Sequence, residues 1–209
     1  MGRSLRLDVL GVFVKAPAPG RVKTRLATEV GVHRAAEIYR DLGRRVVSAC
    51  AGSGHDTVVW FAPPEARSAV REWLKGLSVA AFRAQLSSPL GVRLHAAFRQ
   101  HFDEGARRVI MIGSDCPGVD AVLVSRALAM LDEHDLVLGP AHDGGYYLIG
   151  LRAPAPHLFQ GIAWSTEAVL EQTLARARQL GLGVALLRTL RDVDTASDAR
   201  ALGVLPTLL

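Results

Sequence analysis

The residues able to do chemistry fall in four short stretches. The first, Lys15-Ala-Pro-Ala-Pro-Gly20-Arg21-Val-Lys23-Thr-Arg25, gathers four basic side chains in a Pro/Gly loop. Loops of this kind approach phosphates closely and neutralise their oxygens. The spacing is that of neither a Walker A loop nor a G-x-G-x-x-G fingerprint, and an exposed basic loop is the plain alternative. The second is Gly113-Ser114-Asp115-Cys116-Pro117, directly after the apolar run Val109–Ile112. A carboxylate at that point suits a metal carried on a phosphate-bearing ligand, and equally an N-cap for the next helix. Ser114 lacks the G-x-S-x-G context of an activated nucleophile. Cys116 precedes a proline and has no identifiable base.

The third stretch is Gly139-Pro-Ala-His-Asp143-Gly144-Gly145-Tyr-Tyr147. Adjacent glycines let backbone amides approach a ligand, and Asp143 could act as a second ligand or a base. Asp-Gly is also a strong hairpin pair, which the local sequence favours. The fourth is Asp192-Val-Asp194-Thr195. Either aspartate could be a second metal carboxylate, and Asp194 with Thr195 also fits a capped helix start. An aspartyl-phosphate role is rejected, since enzymes of that kind carry D-x-D-x-T near the start of the chain. His142 and Trp164 sit beside these motifs in turn or packing roles.

The elements that must hold these stretches can be read from periodicity. Strands are expected at Leu5–Val14, Thr57–Phe61, Val79–Phe82, Val109–Ile112, Leu136–Leu138, Tyr146–Ile149 and Val184–Leu187. Helices are expected at His33–Ala51, Pro64–Gly76, Gly91–Gly105, Asp120–Glu133 and from Ser165, as cap, to Leu180, with a short one after Thr195. Lys15–Arg25 reads as loop throughout. Strands alternating with helices give a mostly parallel sheet covered on both faces. The two strands after Glu133 meet without a helix between them, so the sheet turns mixed there. No repeat or linker marks a second domain, and residues 1–209 read as one. Asp115 then lies at the carboxyl end of a central strand, where open α/β sheets bind ligands.

Composition fits that picture. The chain has 209 residues, 49% hydrophobic and 22% charged, with net charge +5. A chain of this length buries roughly 70% of its unfolded surface and needs no staples. The arginines are dispersed over the polar faces of expected helices, which reads first as a solvated surface and next as a match for an anionic substrate; nucleic acid comes third, because no basic stripe is interleaved with aromatics. The two cysteines, Cys50 and Cys116, form no C-x-x-C, and no signal peptide is evident; both point to a reducing cytoplasm. The N-terminal apolar stretch is interrupted by Arg6 and Asp8 and is too short to span a membrane.

Taken together and in order, K-A-P-A-P-G-R-V-K-T-R-L, I-G-S-D-C-P, G-P-A-H-D-G-G-Y-Y-L-I-G-L and D-V-D-T resemble a bacterial group usually classed as glycosyltransferases. It is the radical-SAM/selenodomain-associated transferase type, in the GT-A or nucleotide-diphospho-sugar transferase superfamily. The resemblance runs from about Val12 to Leu202, with a more distant one to nucleotidyltransferases such as phospholactate guanylyltransferase. It implies a three-layer α/β/α sandwich, a bound nucleotide and a divalent metal, Mg²⁺ or Mn²⁺. Asp115 matches the metal aspartate, with Asp192 or Asp194 bringing a second carboxylate. Lys15, Gly20, Lys23 and Arg25 match the phosphate-side loop, with Arg21, Gly113, Ser114, Gly144 and Gly145 on the nucleotide side. One departure stands out: the family pattern Q-G-x-G-D-L-G-x-R-L here reads Gln85-Leu-Ser-Ser-Pro-Leu-Gly-Val-Arg-Leu94.

Three functions are compatible with these residues. The leading expectation is glycosyl transfer from an NDP-sugar to a small acceptor, with Asp143 as base and Lys23 and Arg25 stabilising the leaving diphosphate. The alternative is nucleotidyl transfer from an NTP to a phosphorylated or phosphonate molecule with release of pyrophosphate. The altered stretch at Gln85–Leu90 motivates a third, a nucleotide-binding protein without catalysis.

Overall fold

A computed structural model describes residues 7–206. Seven strands form one sheet in the order β3-β2-β1-β4-β6-β5-β7. They are β1 (Asp8–Lys15), β2 (Asp56–Ala62), β3 (Ala81–Ala84), β4 (Arg108–Gly113), β5 (Leu136–Pro140), β6 (Tyr146–Leu151) and β7 (Val184–Leu186). Leu5 and Arg6 of the expected first strand lie outside the described residues. β1 is central because it is apolar on both faces: Val9, Leu10, Val12 and Val14 are all buried. Burying a side chain of that size contributes about 1.5–3 kcal/mol. Its Gly11 lets the Met111 thioether of β4 lie against it, where a Cβ would collide.

All strand pairs are parallel except β4–β6 and β5–β6. The mixed sheet thus arises at the expected place, where β5 and β6 meet without a helix. That reversal puts the β5–β6 turn at the same end of the sheet as the carboxyl ends of β1 and β4.

Helices cover both faces, giving the three-layer sandwich: α1 (Thr24–Val30), α2 (Val32–Ala51), α3 (Arg67–Trp73), α4 (Leu90–Asp103), α5 (Ala121–Met130), α6 (Val169–Gln179) and α7 (Ala196–Ala201). α2, α3 and α5 pack one face through Tyr39, Val46, Val70, Trp73 and Val124. α4 and α6 pack the other through Leu94, Phe98 and Ala177, with Phe159 between them. Leu26 of α1, Leu42 of α2 and Ala196 and Ala199 of α7 make a separate cluster that closes one end.

Three expectations need correction. β3 runs over Ala81–Ala84, two residues later than the expected Val79–Phe82. The basic loop stops at Lys23, because α1 starts at Thr24. The Pro17, Pro19 and Gly20 signals masked this short helix. Ser165 caps nothing: it adopts a left-handed backbone at φ 66°, and α6 begins only at Val169. The Trp164–Glu167 segment instead wraps a cavity described below. Among the described residues no helix is long and apolar enough to cross a membrane.

Candidate active site

The site is built around Lys23. It ends the basic loop in a left-handed conformation, φ 47° and ψ 46°. A non-glycine residue held there costs of order 1–3 kcal/mol, and such strain gathers at functional sites. The side chain is 4% exposed, and its Nζ lies 2.7 Å from Asp194 Oδ1 and 3.1 Å from Asp115 Oδ2. Burial alone would push the ammonium pKa down, but the two carboxylates more than offset it and hold the pKa above its usual value. Lys23 therefore stays charged.

Local capping explains why both aspartates are free to face it. Asp120, not Asp115, caps α5, accepting from the Leu123 amide at 2.7 Å. Thr195 caps α7 in a capping box with Asp198. Neither Asp115 nor Asp194 is spent on a helix end. The Val193 amide donates to the Asp115 carbonyl at 3.1 Å and lashes the two segments together. Behind them the Tyr39 hydroxyl accepts from the Lys15 amide at 2.7 Å and shares a hydrogen bond with Ser114 Oγ at 3.0 Å. Ser114 is thus a strut. Cys116 is buried, and burial pushes its thiol pKa up, which removes it as a nucleophile.

Two cavities meet at this junction. The first, about 430 Å³, is lined by Phe13, Lys15, Lys23, Arg25, Gln85 and Arg93, among others. The second, about 560 Å³, is lined by Asp143, Gly145, Tyr146, Trp164, Ser165 and Asp192, among others. Arg25, Leu90, Gly113, Asp115 and Asp194 border both. Lys23 and Ser165, the two non-glycine residues with positive φ among those described, each face one cavity.

The remaining candidates divide. Asp143 keeps its hairpin role, accepting from the Gly145 amide at 2.9 Å, and also lines the second cavity. Asp192 lines the same cavity; burial first, then Asp143 and Asp194, push its pKa up to about 6. Gly144, at φ 84°, is pressed against the Glu167 backbone rather than the cavity. Gly20 and Arg21 stand at the exposed tip of the loop and line neither cavity. Tyr39 carried no usable sequence signal, since a tyrosine at a helical core position reads as structure; Gln85 and Arg93 stood within the departing Gln85–Leu94 stretch without an assigned role.

Among the described residues no three acidic, histidine or cysteine side chains converge as a metal cage. The donors present nonetheless fit a hard cation. Asp115 and Asp194, with side chains 42% and 38% exposed, each give one oxygen to Lys23, and the other oxygen of Asp115 accepts a long hydrogen bond from Ser114 Oγ at 3.5 Å. Mg²⁺ is commonly held by one or two carboxylates together with substrate phosphates.

Such a sheet, with a basic loop and paired carboxylates at its carboxyl edge, belongs to a transferase of the nucleotidyl- and nucleotide-sugar-transferase class. The 3-phospho-D-glycerate guanylyltransferase of Phenylobacterium zucineum (strain HLK1) is 32% identical over 186 residues, covering 85% of this chain and 82% of the relative. The chain belongs to the family described as "Uncharacterized protein conserved in bacteria (DUF2064)", whose profile matches residues 46–166. A crystal structure from Desulfovibrio desulfuricans G20, described provisionally as a nucleotide-diphospho-sugar transferase, shares 37% identity at a TM-score of 0.89, covering 94% of this chain and 86% of that one. The fold also recurs in Rv0371C of Mycobacterium tuberculosis H37Rv, crystallised with manganese, at 15% identity and a TM-score of 0.57 over 93% of this chain and 97% of that one.

Proposed function

We propose that this chain is a nucleotidyltransferase that joins a nucleoside triphosphate to a small phosphorylated acceptor and releases pyrophosphate. The observation that carries this is the junction of two cavities at Asp115, Lys23 and Asp194. The cavity holding Lys15, Lys23 and Arg25 suits the triphosphate, and the one beside Ser165 suits the acceptor. An acceptor phosphate oxygen attacks the α-phosphorus, the bond to the β-phosphate bridging oxygen breaks, and pyrophosphate takes the electron pair. No side chain has to form a covalent intermediate. Lys23 and Arg25 neutralise charge that grows on the phosphates, which is where such chemistry gains most. Asp115 and Asp194 would hold a divalent cation, Mg²⁺ or Mn²⁺, whose contribution is further neutralisation of phosphate oxygens. Rv0371C, which shares the fold, was crystallised in complex with manganese.

The relative's activity toward 3-phospho-D-glycerate favours nucleotidyl over glycosyl transfer, reversing the order expected from sequence. The buried, charged Lys23 between two carboxylates argues for a working site over a passive nucleotide-binding one. The deciding experiment incubates the protein with each of the four NTPs, Mg²⁺ or Mn²⁺, and phosphorylated three-carbon acids. Pyrophosphate release matched by a new conjugate in which the nucleotide's α-phosphate is joined to the acceptor phosphate through a phosphoanhydride is expected. Transfer from an NDP-sugar without pyrophosphate would overturn the proposal.

A further inference from the structure

The split between β1 and β4 is held by a side chain that the chemistry above does not use. The two strands pair only as far as Phe13 and Gly113, whereas β1 stays paired with β2 through Lys15 and Ala62. Neighbouring residues of a strand direct their amides to opposite sides. The Ala16 amide donates to the Ala62 carbonyl, on the β2 side. The Lys15 amide therefore faces the β4 side, where the ladder has already ended. Tyr39 of α2 supplies the missing acceptor: its hydroxyl oxygen takes the Lys15 amide hydrogen at 2.7 Å.

The same hydroxyl lies 3.0 Å from Ser114 Oγ, and Ser114 Oγ lies 3.5 Å from Asp115 Oδ1. The direction of these bonds follows from counting hydrogens. Asp115 pairs with the charged Lys23 and can only accept. Tyr39 and Ser114 are 3% and 5% exposed, and a buried hydroxyl without an acceptor is costly. The tyrosine oxygen accepts from Lys15, so its own hydrogen goes to Ser114, and the serine hydrogen is left for Asp115. The donors thus run one way, from the start of the basic loop through α2 to the carboxylate after β4. The packing of α2 allows this approach. The Tyr39 ring tilts against Trp73, with centroids 6.1 Å apart. One turn on, Gly43 has no side chain to hold the helix off: a Cβ there would stand 2.8 Å from the Trp73 ring and 3.7 Å from Ser114 Cβ.

We infer that Tyr39 is a positioning residue: by bonding both branches where β1 and β4 part, its hydroxyl fixes the separation of the basic loop from Asp115. This rests on the reading that the loop takes the triphosphate and Asp115 faces the cation. The hydroxyl is committed to both partners, so it acts through Lys15 and Ser114 rather than on a ligand.

A tie between two branches predicts a loss of cooperation rather than the loss of either branch. The test measures equilibrium binding of ATP, GTP, CTP and UTP to the full chain with and without Mn²⁺, and of Mn²⁺ without nucleotide. Tyr39→Phe keeps the ring and its packing. Its metal-free nucleotide affinity and its nucleotide-free Mn²⁺ affinity should stay close to those of the unaltered protein. The factor by which Mn²⁺ tightens nucleotide binding should drop about tenfold, the scale seen when a group behind a metal ligand is removed. Ser114→Ala cuts the same chain at its other end and should lower that factor equally. The double variant should be no worse than either single one, because one chain is broken once. Should Tyr39→Phe lose its native circular dichroism, Ser114→Ala decides the matter.

An undiminished factor in the folded variants would overturn the inference. So would an additive double variant, which marks two independent contacts. Weakened metal-free nucleotide binding in Tyr39→Phe marks direct contact with the ligand and overturns it as well, as does an unaltered protein whose nucleotide binding ignores Mn²⁺. The failure of the proposed function has a different signature: the factor drops in both variants, yet the unaltered protein releases no pyrophosphate from any triphosphate. Binding of none of the four nucleotides removes both.

Discussion

Val193 donates its amide hydrogen to the Asp115 carbonyl at 3.1 Å, and this one backbone bond sets the spacing of the site. It ties Val193, the neighbour of Asp194, to Asp115, and both carboxylates reach the Lys23 ammonium. The carboxylates are positioned by main chain, so their side chains remain available for ligand.

Asp115→Ala should abolish metal-dependent turnover. Asp194→Asn, which keeps the shape but removes the charge, should lower kcat by about 10²–10³, the scale for losing one preorganised charge-stabilising group. Pyrophosphate release titrated with Mg²⁺ and Mn²⁺ reads both, and the Asp194 variant should require more metal. Full turnover in Asp115→Ala would refute the assignment of the site.

Lys23→Met should behave differently from the aspartate variants. It leaves two carboxylates facing each other without their cation and removes a phosphate contact. We expect kcat to fall about 10²-fold or more. Metal affinity measured without nucleotide should hold or rise, because the competing ammonium is gone.

Stability should decline as pH falls from about 6.5 to about 4, through His101. Its ring is wholly buried, and its Nε2 accepts from Trp60 Nε1 at 3.1 Å. Burial, helped by the Arg83 charge, pushes its pKa down to about 4. A histidine freed by unfolding titrates near its ordinary value, so below that the unfolded chain binds the extra proton and the folded chain does not. The loss should reach roughly 3 kcal/mol at the acid end, since each tenfold difference in proton affinity between the two states is worth about 1.4 kcal/mol. Urea melts at a series of pH values check this. In His101→Gln the decline over that window should flatten.

Gly144→Ala tests whether the second cavity depends on its wall. At φ 84° an added Cβ would meet the Glu167 backbone. A loss of about 1–3 kcal/mol is expected from strain and displacement. Because Glu167 adjoins Ser165 and Thr166, KM for the acceptor should rise more than KM for the nucleotide. Steady-state kinetics with each substrate varied in turn separates the two.

The sheet was legible in the sequence because its strands are dense apolar runs broken by Gly and Pro. Val109–Ile112 and Tyr146–Ile149 needed only extension at their ends. β3 was displaced, from Val79–Phe82 to Ala81–Ala84, since an edge strand of four half-buried residues has little pattern to show. α1 was hidden by the prolines before it, and the start of α6 by a serine that only resembled a cap. Within the site, residue types and strand-end placement pointed to Asp115 and Lys23. The pairing of Lys23 with Asp194 is long-range and leaves no local trace. At Asp194 the helix-cap reading falls, because its neighbour Thr195 caps α7.

The strap at Asp192–Thr195 has a consequence for synthesis and turnover of the protein. It follows the last strand, β7, and supplies one of the two carboxylates on Lys23. A chain interrupted or clipped just before it retains every residue of the seven strands, yet has half the acidic pair. Under the proposed function, such partial products would lose transfer activity by at least the factor expected for Asp194→Asn.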